Sequence, residues 1–331
     1  MTSPLLHPDH TVTFRLHAPE ANEVLIECEG FCDRRPMTRQ PDGGWTFTSP
    51  VLLPDRYHHA FFLDGVRTEP PAPFFEIPEA PDAPWRERDV PQGEIHRHAY
   101  HSEIAAHDRE CFVYTPPGFD PANTYPVLYL LHGYSDGADA WQVLGKAHHT
   151  LDSLIADGAA EPMIVVMPLG YGDMAVLANG WDGRFLDGAW EKNLAAFDRT
   201  LIEEILPLAE ANYPVRTDNA GRAIAGLSMG GTQAIQAALR HPDRFGWVGA
   251  FSSGGLPADL DAAFPDAGST PAFHLLWLAC GRDDALLPAN HRLTAWLRAK
   301  GIPLEWHETD GTHRWNLWRQ NLADFVARLW R

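Results

Sequence analysis

The residues with the clearest chemical potential are Gly226-Leu227-Ser228-Met229-Gly230, a G-x-S-x-G sequence followed by Gly231. A serine hydroxyl is a poor nucleophile at neutral pH. It becomes useful on a tight turn between a strand and a helix, with a general base in hydrogen-bond reach. The glycines suit that geometry, because neighbours without a Cβ let strand and helix close around a strained seryl residue. An apolar run, Ala223-Ile224-Ala225, enters the motif, and an alanine-rich helical stretch, Thr232 to Arg240, leaves it. Ser228 is therefore the candidate nucleophile.

A base and a carboxylate that orients it should follow the serine in the chain. The apolar stretch His274 to Cys280 ends in Gly281-Arg282-Asp283-Asp284, which puts two carboxylates in the loop at a strand's C-terminal edge, where open α/β sheets build their sites. Position favours Asp284 and leaves Asp283 as its rival. Farther on, Gly311-Thr312-His313-Arg314-Trp315 is a glycine-led loop entering the last helix; His313 is the candidate base, and His307, in a strand-like stretch, is the alternative. Two donors for a developing oxyanion are expected at the backbone N–H groups of Met229, after the nucleophile, and Tyr134, in the loop Leu131-His132-Gly133-Tyr134. His132 reads as a residue that holds this loop by hydrogen bonds. The groups His96-x-His98 with His101, His58-His59 and His148-His149 have spacings a metal could use. No carboxylate or cysteine accompanies them in sequence, so no metal and no cofactor is expected.

These residues need elements to hold them. From Glu69 to Gly93, prolines at 70, 71, 73, 78, 81, 84 and 91 exclude a helix or a central strand and mark a linker. Before it, Thr11 to Leu16 and Trp45 to Thr48 alternate polar and apolar residues, Val24-Leu25-Ile26 is apolar, and Asp64-Gly65 sits between Ala60–Leu63 and Val66 as a hairpin turn. Residues 1–90 are expected to form a small antiparallel β-sandwich. Beyond the linker, apolar runs such as Val127–Leu131 and Met163–Met167 alternate with helical stretches, among them Thr200 to Ala211. In the last helix Trp318, Leu322, Phe325 and Leu329 share one face. Residues 91–331 are expected to be an α/β domain with a mostly parallel, doubly covered sheet.

Composition bounds the partners. With 44 acidic residues against 26 basic ones and a formal charge of −18, nucleic acid and anionic membrane surfaces are unsuitable partners. No apolar run is long enough to span a bilayer, and residues 1–10 lack basic and apolar signal regions, so a cytoplasmic protein is expected. Four scattered cysteines are read as reduced thiols, with Cys28 and Cys32 the one pair that could bridge after export.

Three stretches together are familiar: Glu110-Cys111-Phe112-Val113-Tyr114-Thr115-Pro116-Pro117-Gly118-Phe119, Tyr125 to Gly133, and Ala225 to Gly231. They resemble the esterase D family of α/β-hydrolases, with the nearest likeness to its feruloyl esterase branch, over about residues 95–331. The resemblance implies Ser228 as nucleophile. It matches G-x-x-D to Gly281 and Asp284, G-x-H-x-W to Gly311, His313 and Trp315, and the oxyanion loop to His132, Gly133 and Tyr134. Residues Val12 to Val24 resemble the early-set, immunoglobulin-like domain that precedes many bacterial esterases of this group.

The expected activity is serine carboxylester hydrolysis through an acyl-enzyme, with a hydroxycinnamoyl ester of a plant cell-wall sugar as substrate. Tyr134, Trp141, Tyr171, Trp181, Trp190 and Trp315 lie in or near expected loops and could wall an aromatic acyl group, about half of them being expected as core rings instead. Short-chain sugar esters, a siderophore trilactone, acyl transfer and a non-catalytic glycan-binding protein are the alternatives, and the net charge weighs against a polyanionic siderophore. The expected partner is a small-molecule or oligosaccharide ester. The oligomeric state, a dimer among the options, stays open.

Overall fold

Alternating burial along short β-branched and aromatic segments sets the first half of the architecture. The computed structural model describes residues 3–31, 33–178, 180–269 and 273–331. Two compact units emerge. The first comprises Met1–Ala83 with Gly281–Ala285 and Thr309–Leu317, and the second comprises Pro84–Cys280, Leu286–Glu308 and Trp318–Arg331.

Among the described residues the first unit has nine strands: β1 (Ser3–Leu6), β2 (Val12–His17), β3 (Val24–Cys28), β4 (Arg35–Pro36), β5 (Thr38–Arg39), β6 (Gly44–Thr48), β7 (Asp55–Leu63), β8 (Val66–Thr68) and β9 (Phe74–Ile77). They form two antiparallel sheets, ordered β1-β2-β6-β5 and β4-β3-β7-β8, with β9 also on β7. Leu63 pairs with Val66 across a two-residue turn in which Asp64 and Gly65 have φ of 47° and 86°. Two consecutive positive φ values match the right-handed twist of the flanking strands, which is why Asp-Gly sits there. Val12, Phe14, Ile26, Phe61 and Ile77 are completely inaccessible or nearly so. Each contributes roughly 1.5 to 3 kcal/mol by leaving water. The contiguous part of this unit ends at Ala83, a few residues before the boundary expected at 90, and no sequence signal assigned its two later segments to it. Cys28 is buried, and burial pushes its thiol up to about 12. Its possible partner, Cys32, lies outside the described residues.

An eight-stranded sheet organises the second unit. Its strands are β10 (Glu94–Ser102), β11 (His107–Thr115), β12 (Val127–Leu131), β13 (Ile164–Pro168), β14 (Arg222–Leu227), β15 (Trp247–Phe251), β16 (Leu275–Gly281) and β17 (Glu305–Thr309), in the order β10-β11-β13-β12-β14-β15-β16-β17. The pairs from β13 through β16 are parallel, and β10 and β11 join antiparallel at one side. Helices such as Ala147–Ala156, Ala189–Thr200 and Met229–Arg240 supply the covering layers, so β12, β13, β14 and β16 are buried at every residue. The fold is that of an α/β-hydrolase.

Chain order reverses at β12, which has β13 on one side and β14 on the other. Such a switch point opens a crevice at the strands' C-terminal ends. Leu131 is registered with Gly226 there, so the loops after β12 and β14 emerge side by side.

Candidate active site

Strand β14 runs straight into Ser228, whose φ of 53° and ψ of −114° place it in a region costly for a residue with a Cβ, and the helix Met229–Arg240 begins at the next residue. Surrounding bonds hold the strain in place. The Ser228 N–H donates to Phe251 O at 2.8 Å, and its carbonyl accepts from Gly254 N at 2.9 Å and Thr232 N at 3.2 Å. A Cβ on Gly226 would stand 2.5 Å from the Gly230 carbonyl, and one on Gly230 would stand 2.5 Å from Leu131 O and 2.6 Å from His132 O. Here the two motif glycines are required by close approach. Ser228 remains 8% exposed.

The loop after β12 is the neighbour that demands this closeness. A Cβ on Gly133 would lie 3.4 Å from Ser228 Cβ, and the Gly133 N–H is engaged by Asp136 Oδ2 at 3.2 Å. Met229 opens its helix, where unsatisfied N–H groups and the helix dipole favour negative charge. His132 is fully enclosed: its Nε2 accepts from Gly170 N at 2.8 Å, so Nδ1 carries the proton and donates to Gly133 O at 2.7 Å. Burial brings its pKa down to about 4, and the imidazole stays neutral. Gln233, on the helix that follows Ser228, donates to Gly170 O at 2.7 Å, which ties the same loop from the other side.

In the first unit the two later segments meet each other. Arg282 N donates to Thr309 O at 2.8 Å and Asp283 N to Gly311 O at 3.1 Å. A Cβ on Gly281 would collide with Gly311 O at 2.2 Å. His313 Nδ1 donates to Asp284 Oδ2 at 2.8 Å, with the aspartate side chain wholly buried and the imidazole 31% exposed. With Nδ1–H committed to the carboxylate, Nε2 of the neutral ring carries the lone pair that could take a proton. Asp283 is exposed, and His307 lies in β17 with its ring stacked on Trp277 at 4.6 Å and its Nε2 3.3 Å from Glu305. Of the candidate residues, Asp284 and His313 are joined by this hydrogen bond.

Four of the aromatic candidates gather in the second unit. Tyr134 has Trp181, Trp190 and Tyr171 around it at ring separations of 4.8, 6.0 and 6.4 Å, and its hydroxyl donates to the Val176 and Gly180 carbonyls. Tyr171 and Trp190 are buried, the indole N–H of the latter donating to Gly255 O at 2.9 Å, whereas Trp181 is 55% exposed. Trp141 is elsewhere: it is buried against Phe251 and donates to Leu131 O at 2.9 Å, as a core ring does. Trp315 belongs to the first unit and is half-buried. Sequence reasoning passed over Arg184, Phe185 and Leu186. The Arg184 guanidinium lies 4.6 to 5.7 Å from the rings of Phe185, Trp181 and Tyr134, and Phe185 and Leu186 are exposed. The available signal was the aperiodic run Trp181 to Leu186, interrupted by Gly183 and bounded by Gly180 and Gly188.

His96, His98 and His101 bond to Thr115, Tyr213 and Asp108, while the rings of His148 and His149 lie 3.9 Å apart, tilted by 39°. Among the described residues no cluster of three or more His, Cys, Asp or Glu side chains is arranged to hold a metal, and no helix is long and apolar enough to cross a membrane.

The esterase family model matches residues 102–277, more than half of the chain. The chain belongs to the esterase family. This esterase is 29% identical over 350 residues to the endo-1,4-beta-xylanase/feruloyl esterase of Xylanibacter ruminicola, a match that covers 99% of the chain and 46% of that relative. The chain therefore spans about half of that relative's length. Among solved structures, the CE1 ferulic acid esterase of Anaeromyces mucronatus superposes with a TM-score of 0.67 at 22% identity, over 76% of this chain and 96% of its own. An enterochelin esterase from Shigella flexneri gives 0.68 at 19% identity, over 99% and 95%. Both structures share the fold, the second along nearly the whole esterase.

Proposed function

We propose that the esterase works by serine catalysis, with Ser228 as nucleophile, His313 as general base and Asp284 as the carboxylate that orients it. The observation that carries this reading is the strained Ser228 turn at the head of the helix Met229–Arg240, at the sheet's switch point. The 2.8 Å bond from His313 Nδ1 to Asp284 supports it. In the proposed sequence, His313 Nε2 accepts the Ser228 hydroxyl proton as Oγ attacks the ester carbonyl carbon. The carbonyl oxygen becomes an oxyanion that accepts hydrogen bonds from the Met229 and Tyr134 amides, each such donor being worth about 10²- to 10³-fold in rate. Collapse breaks the bond to the alcohol oxygen, which takes the proton from His313. Water, deprotonated by the same imidazole, then releases the acid from Ser228.

The acyl group is proposed to be a hydroxycinnamate on a sugar. The rings of Trp181 and Phe185 are flat and exposed, the first 4.8 Å from Tyr134 and the second 5.1 Å from Trp190, which suits an aromatic acid better than an acetyl group. The bifunctional xylanase/feruloyl esterase relative supports the same class. A panel of methyl ferulate, an acetylated sugar and a catecholate trilactone, run with wild type and Ser228→Ala, tests both parts. Serine catalysis predicts a loss of at least about 10⁴-fold in the variant. Full turnover by Ser228→Ala would refute the mechanism, and a trilactone or acetyl preference would refute the acyl assignment.

A further inference from the structure

His313 sits in a segment that meets the β-sandwich on both flanks, through side-chain bonds after it and a close backbone approach before it. Arg314, the next residue, donates from Nη2 to Arg56 O at 3.2 Å and lies 3.3 Å from Glu29 and 3.6 Å from Asp55, with its guanidinium 5.3 Å from the Tyr57 ring centre. Two residues on, Asn316 Nδ2 donates to the Tyr57 hydroxyl at 2.9 Å, and that hydroxyl donates to Leu53 O at 2.7 Å. On the other side of His313, Gly311 has φ of 133°, and a Cβ there would lie 3.1 Å from Leu53 Cδ1. Tyr57 and Asn316 are both buried. Their bond is therefore made away from water, where losing one partner leaves the other unsatisfied.

Packing alone does not fix this loop. A cavity of about 310 Å³ runs beside it, lined among others by Leu52, Leu53, Tyr57, Asp283, Gly311 and Thr312. The loop has room to move if its polar ties are cut.

We propose that strand β7 and its approach, through Tyr57, Asn316 and Arg314, are a positioning device that holds His313 against Asp284 at the geometry the reaction needs. The sandwich thereby serves catalysis without touching the substrate. The proposal rests on the serine mechanism described above. A displacement of the imidazole by about 1 Å is enough to cost up to about 100-fold in rate.

The test uses the full chain with Tyr57→Phe, Arg314→Gln and, as a control, Arg67→Gln, which cuts exposed ion pairs with Glu69 and Glu27 in the same unit. Three quantities are read: the rate of Ser228 labelling by a fluorophosphonate, kcat and KM on a p-nitrophenyl ester, and the low-field proton resonance of the His313–Asp284 hydrogen bond. Tyr57→Phe and Arg314→Gln should each slow labelling and kcat about tenfold or more, leave KM within about twofold, and broaden or shift the resonance. Arg67→Gln should match wild type. A merely structural tie would lower thermal stability and leave labelling and kcat of the folded protein at wild-type values, and that result would overturn the proposal. If Tyr57→Phe does not fold, Arg314→Gln decides alone by the same criteria. Ser228→Ala, run in parallel, separates the two readings. If it still labels, the serine mechanism fails and the positioning role with it; if it is inert while both anchor variants label at the wild-type rate, only the positioning role fails.

Discussion

Replacing His132 by alanine should produce a destabilisation that shrinks as the solution is acidified. In the native chain the enclosed imidazole accepts from Gly170 N and donates to Gly133 O. Its removal leaves a buried donor without a partner, at about 1 to 3 kcal/mol, and opens a ring-sized void, for a total of roughly 3 to 4 kcal/mol at pH 7. The pH dependence follows from the depressed pKa of about 4. The unfolded imidazole takes up a proton below about pH 6.5 while the folded one refuses it until about pH 4, so wild-type stability falls as pH falls through that window. At 1.36 kcal/mol per pH unit the wild type loses about 2 kcal/mol between pH 7 and pH 5 from this residue alone. The variant has no such group and no such loss, so the gap between the two proteins should narrow by that amount. Urea unfolding followed by far-ultraviolet circular dichroism at pH 7, 6 and 5 measures it. Stability curves that stay parallel across the range would falsify the reasoning. Activity should fall as well, by about ten- to a hundredfold in kcat/KM, because Gly133 and Tyr134 lose their support.

Other perturbations have equally definite outcomes. Asp284→Asn removes the acceptor that fixes the His313 tautomer, and kcat should drop about 10³- to 10⁴-fold with little change in KM, as steady-state kinetics would show. Gly230→Ala forces a methyl group to within 2.5 Å of Leu131 O; we expect a loss of at least 2 kcal/mol in unfolding free energy and severely reduced turnover, and a variant as active as wild type would contradict the close approach. The side chain of Arg222 is 2% exposed and pairs with the partly exposed Glu210. Glu210→Ala should therefore cost about 2 to 3 kcal/mol, whereas Arg222→Met, which removes the buried charge itself, should cost less, a ranking that thermal denaturation can check.

The strand-turn-helix around Ser228 was readable because its signal is local: an apolar strand, a glycine-flanked serine and a helix follow one another directly and fix each other's geometry. The β7–β8 hairpin was readable for the same reason, since Asp64-Gly65 carries its own turn chemistry. The last helix kept Trp318, Leu322 and Phe325 on one buried face but ends at Val326, so Leu329, also buried, lies in the turn beyond it. The stretch expected as a helix from Thr200 to Ala211 instead contains a wide turn at Leu201–Ile205, flanked by regular helix. A wide turn of that kind depends on packing that no residue period announces. Trp141 illustrates the limit for loops: proximity to a functional loop says nothing about which way a ring points, and here it points inward to Phe251. The ties from Arg314 and Asn316 to Arg56 and Tyr57 join residues about 260 positions apart, beyond the reach of any local pattern.

Gly281–Ala285 and Thr309–Leu317 count with residues 1–83, and this bears on how such a chain can be recombined. Exchange of the first 83 codons alone would bring in a foreign sandwich and leave Arg314 and Asn316 facing a surface without Arg56 and Tyr57. The heritable module is discontinuous in the gene, a leading segment plus two short inserts hundreds of bases downstream. If the positioning role proposed above holds, a functional chimera has to carry all three together.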